Sequence, residues 1–595
     1  MALRRNHKIG AAILLTIAAL VLILSFFINR YWSPVLAMRV KSVVLSSSDS
    51  LYNVDFSDAE LHVLKGQLIF YNITLKPDTA VFNRRKKENI APNNLVELHL
   101  RRLILNNIHP LQLYFHHKLN IGEIILSSPE LNVSYQLNHT RDTVIKDRRT
   151  PWEMISKSLK SIHIGAIYLN DVKLKYSDYS GNKVAISELK EMNLSASDLL
   201  IDSATQTDKS RQLYCKEIVF EVNNYTGQTP NGLYNYKINH LKLSTLTSQM
   251  NVEGFRLTPI KANEFFNKSH QTRYDLGIDT LQLNHFDYLG YHKYRKVSAS
   301  KIMIKGGMLS VFSNPNGTKD PEADKTKSFP NVALSSFTTD VKVDTIQIKR
   351  YNIAYSEFNK KSNQTGTITF NNTSGTALNV TNNKDALAKN NMSTIYLNSY
   401  FMNRGRLNVV FNFNLTDKDA TFSYKGNLGP MSLTNINPAT MPLAMVKITS
   451  GTIKDLSFDI KGSSKLSKGH LALLYNDLKI KLLKPDSTYG LKSKIIETFY
   501  ANLFIIKHDN PDKEGGVPRT FNVTFVRPDN FPFFKTVWQT LFDGIKPSAG
   551  LDKKTVEAIA TMKNNNAQKK QERLTKKALR QQRRAEKKRE KELQQ

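Results

Sequence analysis

His116 and His117 form an adjacent histidine pair, and Cys215 is the chain's one thiol. Two neighbouring imidazoles are a potential metal ligand set, but no H-E-x-x-H accompanies them. The fourteen histidines are scattered, and without a paired acidic motif they read as strand or surface residues. A single cysteine excludes intrachain disulfides and a cysteine-cluster metal site. Carboxylates are also scattered, so no pair stands out for acid and base work. There is no G-x-S-x-G elbow, no phosphate-binding G-x-x-x-x-G-K-[ST] loop and no G-x-G-x-x-G. The expectation is therefore a protein that is not an enzyme, with no cofactor, no metal and no catalytic residue.

What recurs instead is apolar spacing. LNIGEIILSSPELNVSY begins at Leu119, and IHIGAIYLNDVKLKYSD begins forty-three residues later, at Ile162. Both carry the pattern Φ-x-Φ-x-x-Φ-x-Φ, with Φ apolar. It returns at Leu276–Leu283, Val297–Ile304 and Val341–Ile348, and more loosely at Leu98–Leu105 and Tyr236–Leu243. A follow-on Φ-x-Φ begins five residues later at Leu131/Val133, Leu174/Tyr176, Leu309/Val311 and Ile353/Tyr355. This reads as a degenerate repeat. Alternate residues of a strand share a face, so Φ-x-Φ marks one face. A bulge or bend within Φ-x-x-Φ would return the apolar face to the same side, and the follow-on would be a returning strand after a short turn. One apolar face repeated in this way gives either a long open groove or an ordinary filled core. Periodicity alone leaves both open. Groove-lining candidates are Leu98, Ile121, Ile124, Leu126, Ile164, Ile167, Leu169, Leu281, Ile302, Ile346 and Ile348.

The elements that would carry these residues are mostly strands. The expected fold is mainly β: an N-terminal transmembrane helix, an elongated repetitive β-sheet groove, a C-terminal amphipathic helix and a basic helical tail. Ile9–Ile28 is uncharged and long enough for a hydrocarbon core of about 30 Å. Arg4, Arg5 and Lys8 precede it, and Tyr31 and Trp32 follow, as at a membrane interface. The run is longer than the apolar region of a cleaved signal peptide, the alternative. Residues 1–32 are thus read as a cytoplasmic N-terminus and anchor, 33–50 as a connector and 51–483 as the repetitive region. Residues 484–550 form a capping segment with amphipathic helices. In it Phe534, Val537, Trp538, Leu541, Phe542 and Ile545 follow one helix face. That face either caps the sheet or lies in a membrane interface, for which Trp32, Phe534, Trp538 and Phe542 are candidates. The tail, 551–595, holds 15 Lys and Arg against 6 Asp and Glu. It is either a solvated helix or a contact for anionic head groups. The whole chain carries +33, which favours an anionic partner. An anchor would put the tail away from the cytoplasm and makes nucleic acid an unfavoured partner.

GHLALLYNDLKIKLL (Gly469–Leu483), with NPATMPLAMVKITSG and LSFDIKG upstream, resembles the AsmA-like family of bacterial envelope proteins. NVDFSDAELHVLKGQLIFYNITL (Asn53–Leu75) behind an anchor is similar to that family's opening, and VWQTLFDGIKPSAG resembles members from Bacteroidota. The resemblance implies a single-pass inner-membrane protein with its bulk in the periplasm and a β groove with an apolar interior. It also implies a part in moving phospholipid towards the outer membrane and in outer-membrane biogenesis, with no catalytic motif. The expected partners are phospholipid and membrane surfaces. The alternative is an assembly factor or scaffold that recruits envelope proteins through its basic tail.

Overall fold

The computed structural model describes residues 41–550 apart from 43, 46–47, 63–64, 139–149, 181–183, 230, 270, 314–323, 487–489, 496–501 and 503–505, and parts of 568–585. The expected anchor and Trp32 lie outside the described residues, as does most of the apolar stretch 495–506. Among the described residues no helix is long and apolar enough to cross a membrane.

The described chain is one long mixed sheet. In order its strands are β1 (Tyr52–Asp55), β2 (Asp58–His62), β3 (Gln67–Pro77), β4 (Asn94–Asn106), β5 (Lys118–Ser127), β6 (Glu130–Tyr135), β7 (Ser161–Asp178) and β8 (Ala185–Ile201). There follow β9 (Glu217–Gln228), β10 (Tyr234–Ser244), β11 (Gln249–Pro259), β12 (Arg273–Asn284), β13 (Val297–Phe312), β14 (Val341–Asn359), β15 (Gln364–Thr381) and β16 (Met392–Phe401). The last are β17 (Gly405–Asn414), β18 (Phe422–Leu428), β19 (Met431–Ser432), β20 (Val446–Gly462), β21 (Leu466–Asp486), β22 (Gly490–Ser493) and β23 (Thr520–Val526). Nearly every strand pairs with its sequence neighbours, antiparallel, as a meander. The exceptions are the parallel joins, β5 and β6 to β7 and β13 to β14, and the antiparallel pairings β1–β3, β4–β6, β18–β20 and β21–β23, each of which passes over one strand. The segment 484–550 does more than cap the sheet: it supplies β23, which pairs with β21.

The parallel joins account for four copies of the repeat, those in β5, β7, β13 and β14. Leu119, Ile121, Ile124 and Leu126 lie directly beside Ile162, Ile164, Ile167 and Leu169. Val297, Ala299, Ile302 and Ile304 lie beside Val341, Val343, Ile346 and Ile348 in the same way. Parallel neighbours in register must present the same face at each level, so they share one spacing.

Two expectations about the repeat need correction. The follow-on Φ-x-Φ is not a returning strand. Leu174 and Tyr176 continue along β7, and β6 continues the line of β5 beside the same β7. Nor does an extra residue sit within Φ-x-x-Φ of β7, where pairing with β8 skips Gly165 but resumes in register. The register shift comes later, between Leu169 and Leu174, around Asp171 at φ 54°. The reason is conformational. Across β9 to β14 the ladders skip a pair at one common level, through Asn224, Asn239, Gly254, Asp279, Gly306 and Arg350. Asn224, Gly254, Gly306 and Arg350 there adopt φ of 50°, 66°, 68° and 55°. Left-handed residues re-aim a strand without inserting one. The result is a crease across six neighbouring strands. In β10 and β12 it falls within Φ-x-x-Φ, and in β13 and β14, which run past it from the other side, it falls before the follow-on.

Burial is uneven along the sheet. A small cluster, Ala59, Leu68, Phe70, Ile73 and Leu100, closes the N-terminal end. A much larger one runs from Phe329 to Val537 and fills the C-terminal end. There the helix Phe533–Ser548 lies on the sheet and buries a narrow stripe of Thr536, Val537, Thr540, Gly544 and Ser548. Small residues let it approach closely: a Cβ on Gly544 would stand 3.3 Å from a methyl of Leu471. Phe533 meets Phe413 and Phe422 at ring distances of 5.6 and 5.1 Å. The Tyr424 hydroxyl donates to the Val537 carbonyl at 3.2 Å. This is the capping arrangement.

Candidate functional site

The register aligns the apolar positions into two rows. The first runs Ala59, Phe70, Leu103, Leu126, Leu169, Leu194, Phe220, Leu243, Met250, Leu283, Ile302, Ile346, Ala377, Ile395, Phe411, Tyr424, Ile460, Gly469 and Val523. Each is the direct partner of the next. The second runs Val172, Met192, Val222, Leu241, Val252, Leu281, Ile304, Ile348, Gly375, Leu397, Val409, Gly426, Phe458, Leu471 and Phe521. From β8 onward the two rows stand two residues apart on each strand and so share a face. The intervening residues face the other way and are mostly polar. They include Glu221, whose carboxylate meets the Lys242 ammonium at 2.7 Å, and the Lys425–Asp459 pair at 3.6 Å.

Of the candidate lining residues, Leu126, Leu169, Ile302 and Ile346 fall in the first row, and Leu281 and Ile348 in the second. Ile124 and Ile167 belong to a shorter row, from Leu68 and Leu105 to Ala196. Leu98 lies in another, with Leu75, Leu131, Leu174 and Leu189. Ile164 pairs with Ile121 and Leu199. Ile121 is 6% exposed and offers little surface to a guest, whereas the other ten are half-buried. Leu98 and Leu126 pack on the N-terminal cluster. Phe534 is engaged by Tyr355 and Phe370, at ring distances of 4.7 and 5.9 Å. Trp538 and Phe542 lie half-buried on the same helix, 6.2 Å apart.

Across β9 to β13 the rows are mixed: Phe220, Leu243, Met250, Ile302 and Ile304 are half-buried, whereas Val222, Val252 and Leu283 are buried. The helices against this stretch are short. Phe265–Lys268 tucks Phe265 onto Tyr234 at 5.5 Å, and Tyr288–Tyr294 sits between β12 and β13.

One place along the rows is more elaborate. β8 pairs with β9 only from Met192 to Ser197, whereas Ala185–Leu189 pair with β7 and Asn223–Gln228 pair with β10. The sheet forks there, over Val172, Met192 and Val222, which are nearly fully buried. A cavity of about 220 Å³ lies in the fork, walled by Leu174, Tyr176, Leu189, Phe220, Val222, Tyr225, Ile238 and Leu241. The outer arm then crosses to the loop after β12. In a flat sheet β7 and β12 stand about 24 Å apart. Yet the Arg295 guanidinium lies 4.5 Å from the Tyr135 ring, 5.0 Å from Tyr176 and 5.4 Å from Tyr291. It also hydrogen-bonds the Tyr176 hydroxyl and faces the Asp178 carboxylate at 3.5 Å. Burial pushes the Tyr176 hydroxyl above its ordinary range, against the pull of the Arg295 charge, so it stays neutral near pH 7.

The recurring spacing found the row members in β5, β7, β12, β13 and β14, whereas Phe220, Met250 and Arg295 become site residues only through pairing, and the fork had no signal in the sequence. His116 and His117 end and follow an exposed short helix, and no group of three metal-ligating side chains occurs among the described residues. No known family matches the chain, and no curated protein is detectably similar to it.

Proposed function

We propose that the chain shelters phospholipid in the apolar trough and passes it between membranes of a bacterial envelope, as an AsmA-like protein anchored in the inner membrane. The observation that carries this reading is the pair of apolar rows running across the sheet while, among the described residues, no helix covers their middle stretch as Phe533–Ser548 covers the C-terminal end. Sheltering a methylene is worth about 0.8 kcal/mol, and a continuous row lets a chain slide without full exposure. Ile302→Asp with Ile346→Asp places two carboxylates side by side in the first row. Native mass spectrometry with lipid extraction on the full chain should find phospholipid on the parent and much less on this variant. Equal lipid on both, with folding intact, would sink the reading.

A scaffold is the second reading. It is favoured by the filled C-terminal end and by the tail, whose residues 574–583 are helical and exposed. Removing 551–595 should then abolish capture of envelope partners while leaving bound lipid unchanged.

A further inference from the structure

The trough walls are apolar, and an apolar wall holds acyl chains without distinguishing head groups. The fork differs, because a guanidinium is tied to one of the residues that wall its cavity. Tyr176 belongs to both: it lines the cavity, and its hydroxyl meets Arg295. The arginine is positioned by the rings of Tyr135, Tyr176 and Tyr291, contacts that orient a cation without neutralising it. Its nearby carboxylate, Asp178, stands at 3.5 Å, longer than the roughly 2.7–2.9 Å of a well-formed charge-assisted hydrogen bond. A phosphate or carboxylate that reached the same edge with both oxygens would make the better partner. Arg295 and Asp178 side chains are 29% and 28% exposed, so such a group can reach them.

We propose that the fork is a binding site for one anionic amphiphile. The part of one acyl chain nearest the head occupies the cavity between Leu174, Leu189, Phe220, Val222, Ile238 and Leu241, the remainder continues along the apolar rows, and the anionic head group takes Arg295 from Asp178. The inference rests on the lipid reading above and adds a site of selection to it. Asp178 acts as a built-in competitor: it keeps the guanidinium paired when the fork is empty and yields to an incoming head group. A lipid with a zwitterionic head gains less, since its own ammonium already accompanies the phosphate.

The test loads the full chain with an equimolar mixture of phosphatidylglycerol, phosphatidylethanolamine and palmitate, then reads the bound species by native mass spectrometry. The parent protein should be enriched in an anionic species, and its mass separates phospholipid from fatty acid. Arg295→Gln should lower that enrichment about tenfold, the loss expected of one hydrogen bond to a charged group. Asp178→Asn should raise it, and Arg295→Lys should restore part of it. If Arg295→Gln fails to fold, the Asp178→Asn arm decides alone. A lipid-loaded Arg295→Gln, or Asp178→Asn in its stead, with the parent's selectivity overturns the proposal and leaves the trough reading standing. Loss of thermal stability without a change in selectivity overturns it likewise and makes Arg295 a structural staple. A parent that binds no lipid at all ends both.

Discussion

The stretch β9–β13 and the stretch β14–β23 are written in the same pattern and finished differently. Both carry the two apolar rows. In the first, Ile302 and Ile304 are half-buried, although Val252 and Leu283 are buried by the sheet's own side chains and short connections. In the second, Ile460 and Leu471 are wholly buried and Phe458 is 5% exposed, because the helix Phe533–Ser548 and the segment around Phe329 cover them. The rows therefore do not decide between groove and core. A cover does, and it is made by the segment around Phe329 together with the helix Phe533–Ser548.

The largest expected effect tests that difference directly. Phe458→Ala should cost about 3–5 kcal/mol, since transfer and cavity terms add in a closed core. Ile302→Ala, at a half-buried site that already meets solvent, should cost about 1 kcal/mol. Chemical denaturation of both variants checks this, and similar losses would mean that the trough is as closed as the core. A smaller effect is expected where the cover meets the sheet. Gly544→Leu forces a side chain against Leu471 and Val523 and should destabilise the C-terminal end by about 1–3 kcal/mol. Hydrogen exchange should place the loss in β20, β21 and β23 and spare β9–β13.

The smallest effect is a pH dependence confined to the covered end. The Arg527 side chain is 1% exposed and ties β23 to the segment before Phe329 through Asp324 at 2.7 Å. Burial disfavours the charged form of Asp324, but its hydrogen bonds from Arg527 and Thr326 outweigh this and hold its pKa at about 2, below the ordinary 3.8. A depressed carboxylate stabilises the fold above its ordinary value, and the contribution is lost as pH falls from there through about 2. Asp324→Asn should flatten that part of the acid transition of the C-terminal end. Solvent reaches Asp324, so the change will be modest. An unchanged acid profile would separate Arg527 from Asp324 energetically.

Much of the fold was legible in residue spacing. Val297–Ile304 and Val341–Ile348 announced strands with one apolar face, and Phe534 to Ile545 announced an amphipathic helix. Their partnership was not legible, because spacing marks a face and says nothing of what lies against it. The helix buries Thr536, Thr540 and Gly544 most deeply, while the large side chains flank that seam. Hydrophobicity ranks the flanks first, whereas close approach of backbone to sheet needs small residues. The crease was hidden for a related reason. Asn224 and Arg350 adopt left-handed φ without being glycine. Arg295 carried no signal at all, since its partners Tyr135 and Tyr176 lie more than a hundred residues away.

The meander has a consequence for how such a chain is made. Every pairing joins a strand to the one made just before it or to the one before that. The sheet can therefore assemble from its N-terminal end as the polypeptide emerges, by local closures that cost little chain entropy. Until synthesis ends, the newest strand is an open edge with unpaired backbone groups. The helix Phe533–Ser548 is made after β23, so the covered end locks last. A chain that stops short of residue 533 would keep its trough and lose its lid, and truncation should turn a finished end into an aggregation-prone one.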